Sequence, residues 1–274
     1  MLDLDKLCKV AIEAAKAAGE IIQKYVNTDL EVEKKEGGAG RASQVVTKVD
    51  RACEEIIVRH LAPSCKEWDL ALLTEETVDN GERLQKDFFW CVDPLDGTLP
   101  FINKKSGFSV SIALVAQDGT PQLGVVFDPS YDRLYYAIKG KGAFKNSEAF
   151  KVENRNAHLT YVSDKKLSDT PNADKIEKLL SEHILQLGLE KFEEISGGGA
   201  VMNAIRVLEN GPALMLKLPK EEKCGGSLWD FAATACIFSE LDLPATNFMG
   251  AKLDLNRKES TFMNHEGVMY CNLG

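Results

Sequence analysis

The aromatic and β-branched run Phe88-Phe-Trp-Cys-Val92 leads directly into Asp93-Pro-Leu-Asp96-Gly-Thr98, so an apolar strand ends on two carboxylates, a proline and a hydroxyl. Such a run suits a buried strand, and Pro94 lacks the N–H that a ladder requires, which predicts that the strand stops at Asp93. Both acids then fall on one tight turn. Carboxylate oxygens and a carbonyl freed by the turn are the hard ligands that Mg²⁺ or Ca²⁺ takes. Gly97 permits close approach to a ligand, and Thr98 suits the N-cap of a helix that Pro100 enters in its first turn. A helix start offers free N–H groups to an anion. The pattern points to a metal site built for phosphate, against the plainer reading of a strand-turn-helix corner whose acids are solvated.

Leu95-Asp-Gly-Thr-Leu99 also resembles the end of the haloacid dehalogenase phosphatase motif. That motif needs Asp-x-Asp with the first carboxylate as nucleophile. Pro94 stands two residues before Asp96, which excludes it.

Other acids occupy comparable places. A short strand over residues 44–49 delivers Asp50 to a helix expected over residues 51–61, and Leu70-Ala-Leu-Leu-Thr74 is followed by Glu75 and Glu76. Ser227 is suited to cap a helix running toward Phe238, with Asp230 in its first turn, where the helix dipole favours negative charge. Each acid alone reads as solvated or as dipole compensation. Together, Asp50, Glu75, Asp93, Asp96 and Asp230 stand at strand ends and helix starts, where sheet-based enzymes gather functional groups. Two unit charges ~4 Å apart repel by roughly 4 kcal/mol at an effective dielectric near ~20, so a converging set must be protonated or neutralised by divalent ions.

The rest of the chain reads as scaffold for such a site. Apolar residues at helical spacing (Leu4, Leu7, Ile12, Ala15, Ile22, Val26) predict an amphipathic first helix, and residues 33–43 form a charged, glycine-rich loop. Alternating segments at 109–116, 122–128 and 133–138 are separated by turn signals and predict an antiparallel meander. Beyond a short polar boundary the pattern changes to a strand at 158–163, a helix at 172–187 and Ser196-Gly-Gly-Gly199 opening a helix that ends at Asn210-Gly211. Two halves are expected, residues 1–153 carrying most of the metal ligands and residues 154–274 supplying Asp230 and substrate contacts. With 274 residues and 44% hydrophobic content, the chain is long enough to bury a sizeable core.

Seven scattered cysteines without a Cys-x-x-Cys pair favour reduced thiols over disulfides or zinc, and suggest a cytoplasmic protein. No run approaches the ~18 apolar residues of a membrane span. A net charge of −9 argues against a nucleic-acid duplex as partner, whereas a small phosphate ester is compatible if cations intervene. Four widely separated histidines do not suggest a histidine phosphatase.

Asp93-Pro-Leu-Asp96-Gly-Thr98 with Trp229-Asp230-x-Ala-Ala, preceded by Val46-Thr-Lys-Val-Asp50 and Thr74-Glu75-Glu76, resembles the lithium-sensitive, Mg²⁺-dependent phosphatases: inositol monophosphatase, 3'(2'),5'-bisphosphate nucleotidase and, more distantly, fructose-1,6-bisphosphatase. The resemblance implies an α+β fold, a layered αβαβα sandwich, and two or three Mg²⁺ ions. It implies that Glu75, Asp93 and the Leu95 carbonyl hold the first metal and Asp93, Asp96 and Asp230 the second. Glu75 would also orient the attacking water, and Asp50 with Thr98 would take up its proton. Gly97 and Thr98 N–H groups would hold phosphate oxygens, and Ser196, Gly197 and Asp230 would contact substrate. A monomer or homodimer is implied.

Leu95 within the motif, and Leu99-Pro100-Phe101 in place of an Asn-Phe pair, lean toward the bisphosphate nucleotidase branch. Inositol or sugar phosphates are the alternative substrates, and a catalytically weak phosphate- or metal-binding regulator is the alternative role. The nucleotidase resemblance places a lysine after a Gly-Ser-Ser segment, where Val201-Met-Asn203 supplies none; Lys217, Lys220 and Lys223 are the cations available to compensate.

Overall fold

The computed structural model describes residues 2–26, 32–34, 45–152, 154 and 156–274. Most of the glycine-rich segment expected as a loop, Gln44 at the start of the following strand, and position 153 at the expected boundary lie outside the described residues.

Two helices open the fold, α1 (Leu4–Tyr25) and α2 (Lys48–Trp68), with the short antiparallel pair β1 (Val32–Lys34) and β2 (Val45–Thr47) between them in sequence. A seven-stranded sheet follows in the order β3 (Ala71–Thr74), β4 (Phe88–Asp96), β5 (Ser109–Ala116), β6 (Pro121–Asp128), β7 (Arg133–Ile138), β8 (Gly142–Lys145), β9 (Glu148–Ala149). Only the β3–β4 pair is parallel, so the meander expected over residues 109–138 is present. Helix α3 (Thr98–Ile102) follows β4.

The second sheet has five strands, in the order β11 (Phe192–Ser196), β10 (Leu159–Ser163), β12 (Ala213–Lys217), β14 (Val268–Asn272), β13 (Ala245–Thr246). Helices α4 (Ala173–Leu187), α5 (Ala200–Glu209) and α6 (Leu228–Glu240) complete the chain.

Strand periodicity sorts the core into layers. Along β4, Trp90 and Val92 face α1 and α2, while Phe89 and Cys91 face α5 and α6. Val162, Met215 and Tyr270 of the second sheet close over the other side of α5 and α6. Tyr161, Leu214 and Leu216 point the opposite way, onto Ile176 and Leu180 of α4. The order is therefore helix pair, sheet, helix pair, sheet, helix: the αβαβα sandwich. Helix α6 is apolar nearly all round because it lies between two sheets. Among the described residues no helix is long and apolar enough to cross a membrane.

Three local expectations are corrected. Strand β4 does not stop at Asp93 but continues to Asp96; its register on β5 moves from Asp93↔Ser111 to Asp96↔Ser109, so three steps on β4 oppose two on β5. Pro94 is accommodated in that bulge, where a missing ladder N–H costs nothing. Gly97 at φ +84°, not Thr98, caps α3; its carbonyl accepts from Phe101 N–H at 3.1 Å. Helix α2 does not end near Leu61 but runs through Pro63 to Trp68. Trp90 Nε1 donates to Ser64 Oγ at 2.9 Å, and that hydroxyl donates to the Leu61 carbonyl at 2.6 Å, tying the turn around the proline to β4.

Candidate metal centre

The carboxylates converge because five elements end at one place. Strand β3 lies parallel to β4, so Thr74 is level with Val92, and Glu75 N–H donates to the Val92 carbonyl at 3.2 Å. Glu75 is thereby set beside Asp93, and its charge acts on the Asp93 carboxyl. Asp93 Oδ1 accepts from Leu95 N–H at 3.0 Å, folding the bulge back on itself. The Leu95 carbonyl accepts from Thr98 Oγ1 at 3.3 Å, which leaves that hydroxyl its lone pairs.

Asp96 reaches across to the second half of the chain. Its Oδ1 accepts from Ala200 N–H at 2.9 Å and its Oδ2 from Val201 N–H at 3.0 Å, so it sits on the N-terminus of α5. Asp230 lies in the first turn of α6, with Ser227 N–H donating to its Oδ2 at 2.6 Å. Oxygens of Asp93, Asp96 and Asp230 lie within 4.8 Å of one another. Asp50 occupies the first turn of α2, buried, and its charge acts on Glu75.

This packing disfavours the charged forms. Burial, then the charges of Glu75, Asp96 and Asp230, hold Asp93 well above the usual carboxylate range. Asp96 is pushed up to about 8 by burial and by Asp230, against the pull of the two α5 amides. Glu75 is exposed as a residue, yet protein crowds its carboxyl; burial, then Asp230 and Glu76, push it up to about 8. Asp230 is pushed up to about 6, chiefly by burial, with the Ser227 amide and Lys217 opposing. A protein does not stabilise itself by crowding acids in this way, whereas a hard divalent cation restores their charged state and takes oxygen ligands at this spacing. The donor set fits Mg²⁺.

Several residues at the site were not singled out from the sequence. Glu54, one turn beyond Asp50 on α2, accepts from both Thr74 Oγ1 at 2.5 Å and Thr77 Oγ1 at 2.6 Å, bracing the turn that carries Glu75 and Glu76. Gly199, Ala200 and Val201 supply the close approach and amides that receive Asp96. Asp164 accepts from Asn203 Nδ2 at 3.0 Å and pairs with Lys217 Nζ at 2.5 Å, and the Lys217 charge is felt by Asp230. Of the three lysines noted in the sequence, Lys217 is the one beside the acids. Ser196 ends β11 level with Ser163, and Gly197 N–H donates to the Ser163 carbonyl at 3.1 Å, three to four residues ahead of the amides on Asp96.

The model of the inositol monophosphatase family matches residues 3–271. Inositol monophosphatase 3 of Solanum lycopersicum is 38% identical over 157 residues, 56% of this chain and 54% of that protein. Nus factor SuhB of Escherichia coli strain K12 is 36% identical over 140 residues, 51% of this chain and 50% of that protein. The chain thus spans about half the length of the curated relatives it matches. Among solved structures, a dual specific IMPase/NADP phosphatase bound with D-inositol-1-phosphate superposes with a TM-score of 0.76 at 19% identity, covering 99% of this chain and 92% of that one. The staphylococcal IMPase-I complexed with products gives 0.75 at 20% identity over the same shares. These structural likenesses bear on the fold.

Proposed function

The chain belongs to the inositol monophosphatase family, and from that premise we propose that it is a Mg²⁺-dependent phosphomonoesterase acting on a 3'(2'),5'-bisphosphate nucleotide, such as adenosine 3',5'-bisphosphate, to give AMP and phosphate. The observation that carries the reading is the meeting of Asp93, Asp96 and Asp230 within 4.8 Å, on a bulge and at two helix N-termini.

Glu75, Asp93 and the Leu95 carbonyl would hold one Mg²⁺, and Asp93, Asp96 and Asp230 a second; two or three ions balance the cluster. When bound, they supply positive charge to the phosphoryl oxygens and lower the pKa of water. Glu75 orients the attacking water. Asp50 and the Thr98 hydroxyl take up its proton, Thr98 having lone pairs to spare because it donates to Leu95. Gly97 and Thr98 amides hold phosphate oxygens, and Ser196, Gly197 and Asp230 contact substrate. No covalent phosphoenzyme is required, which suits a site without a nucleophile-base dyad.

The nucleotide preference is supported by Leu95 in the bulge and by Leu99-Pro100-Phe101 after it. An inositol phosphate is the second reading, favoured by the names of the plant relatives. The regulator reading is countered by the full set of Asp50, Glu75, Asp93, Asp96, Thr98 and Asp230. Phosphate release with Mg²⁺ from adenosine 3',5'-bisphosphate and inositol 1-phosphate, each repeated with lithium, tests the reading. Faster nucleotide turnover, inhibited by lithium, is expected; faster inositol phosphate turnover overturns the substrate, and no release from either overturns the activity.

A further inference from the structure

Helix α5 carries a single cation, Arg206, half-buried on a helix whose other faces are packed into the core. A helical side chain leans toward the N-terminus of its helix, so Arg206 reaches back over the turn ahead of α5. A Cβ on Gly198 would lie 2.6 Å from Arg206 Nη1, and one on Gly107 would lie 2.8 Å from Nη2. One guanidinium thus lies against two glycine segments that are far apart in the chain.

Those two segments frame the metal centre. Gly107 stands between α3 and β5, at φ +111°, and its carbonyl accepts from Gly199 N–H at 2.7 Å. Gly97, ahead of α3, is packed behind that bond: a Cβ there would lie 2.8 Å from the Gly107 carbonyl oxygen and 3.2 Å from Gly199 N. The next two amides, of Ala200 and Val201, are the donors to Asp96. Backbone that carries no side chains is held in place only by what packs on it. On Gly198 that packing comes from Arg206 and Asn203. Asn203, fully buried three residues before Arg206, accepts from Arg206 Nη1 on its Oδ1 at 3.1 Å and donates from Nδ2 to the Gly198 carbonyl at 3.1 Å. The charges of Asp128, Asp96 and Glu209 are felt at Arg206, but among the described residues no carboxylate lies within ion-pair distance of it.

We propose that Arg206 is a positioning residue for the metal centre: its guanidinium fork clamps Gly107 against Gly198 and so holds the Ala200 and Val201 amides on Asp96. The proposal rests on the reading of the carboxylates as the Mg²⁺ centre of a phosphomonoesterase, and it names the side chain that joins the two halves of the chain behind that centre. The same clamp fixes the Gly97 turn, since Gly97 is packed on the Gly107 carbonyl. A planar fork presents nitrogens to both segments at once, which the single ammonium of a lysine does not.

The test is calorimetric Mg²⁺ binding, with kcat and KM for phosphate release, in Arg206→Ala and Arg206→Lys. Arg206→Ala should bind Mg²⁺ about tenfold more weakly or worse, and its kcat should fall by more than its KM changes. Guanidinium ion at a concentration that leaves the fold intact should restore most of the Mg²⁺ affinity of Arg206→Ala, whereas sodium chloride at equal ionic strength should not. Arg206→Lys keeps the charge and should remain several-fold weaker than wild type. A cation that acted by charge alone would repel the metal, so its removal would tighten Mg²⁺ binding. Tightened or unchanged binding in Arg206→Ala, a loss that guanidinium does not reverse, or a lysine variant equal to wild type overturns the proposal. If Arg206→Ala does not fold, Arg206→Lys decides alone. Mg²⁺ binding needs no turnover, so the absence of phosphate release from the wild type would sink the phosphatase reading and still leave the role of Arg206 decided by calorimetry.

Discussion

Asp96 and Gly199 come together so closely that a Cβ on Gly199 would lie 2.2 Å from Asp96 Oδ2. The glycine lets a carboxylate on one half of the chain reach the first amides of a helix on the other, at Ala200 and Val201. Gly199→Ala should therefore push Asp96 off α5 without emptying the core. A displacement on the order of 1 Å lowers turnover by about a hundredfold. Steady-state kinetics with Mg²⁺ titration checks this, with a raised Mg²⁺ requirement expected alongside the lost rate.

Glu54 touches the proposed chemistry only through its neighbours. Removing it in Glu54→Ala leaves the Thr74 and Thr77 hydroxyls without their acceptor, at about 1–3 kcal/mol. The turn carrying Glu75 is loosened with it. Glu54→Gln keeps an oxygen acceptor and should restore most of the stability and the Mg²⁺ affinity. Thermal melts together with Mg²⁺ calorimetry on both variants separate this from a general loss of fold.

The metal-free protein should lose stability as pH rises. Asp96 and Glu75 are raised to about 8 and Asp230 to about 6, from ordinary values of 3.8 for the aspartates and 4.5 for the glutamate. Groups raised in the fold favour folding fully below their unfolded values, and that contribution is lost as pH climbs through the folded ones. The loss therefore falls between about pH 4 and 8. Mg²⁺ binds the charged forms, so the difference in melting temperature with and without Mg²⁺ should widen from pH 5 to pH 8. A difference that stays constant or narrows would contradict the assignment of these acids to a metal.

Much of this architecture is legible from short-range pattern. Strands β5 to β7 announce themselves through alternation and turn residues, and α1 through its 3.6-residue period. Strands β12 and β14 do not: Ala213-Leu-Met-Leu-Lys217 and Val268-Met-Tyr-Cys-Asn272 are short apolar runs without a period that separates strand from helix. The acids at the site stand out because each ends an apolar run or opens a helix. Glu54 does not, since a glutamate inside a helix reads as surface until β3 is laid against it. The bulge at Pro94 was equally hidden, because proline signals the end of a ladder unless the partner strand shows the register shifting around it.

The most direct measurement is phosphate release by the wild-type protein and by Asp93→Asn, with Mg²⁺ and with chelator, on adenosine 3',5'-bisphosphate and inositol 1-phosphate. Asp93 is at the centre of the set, beside Glu75 and close to Asp96 and Asp230. Release that requires Mg²⁺ and falls about a thousandfold in the variant, roughly 4 kcal/mol of transition-state stabilisation, is the expected result. Release that persists in chelator, or survives in Asp93→Asn, would contradict a carboxylate metal centre as the seat of the reaction.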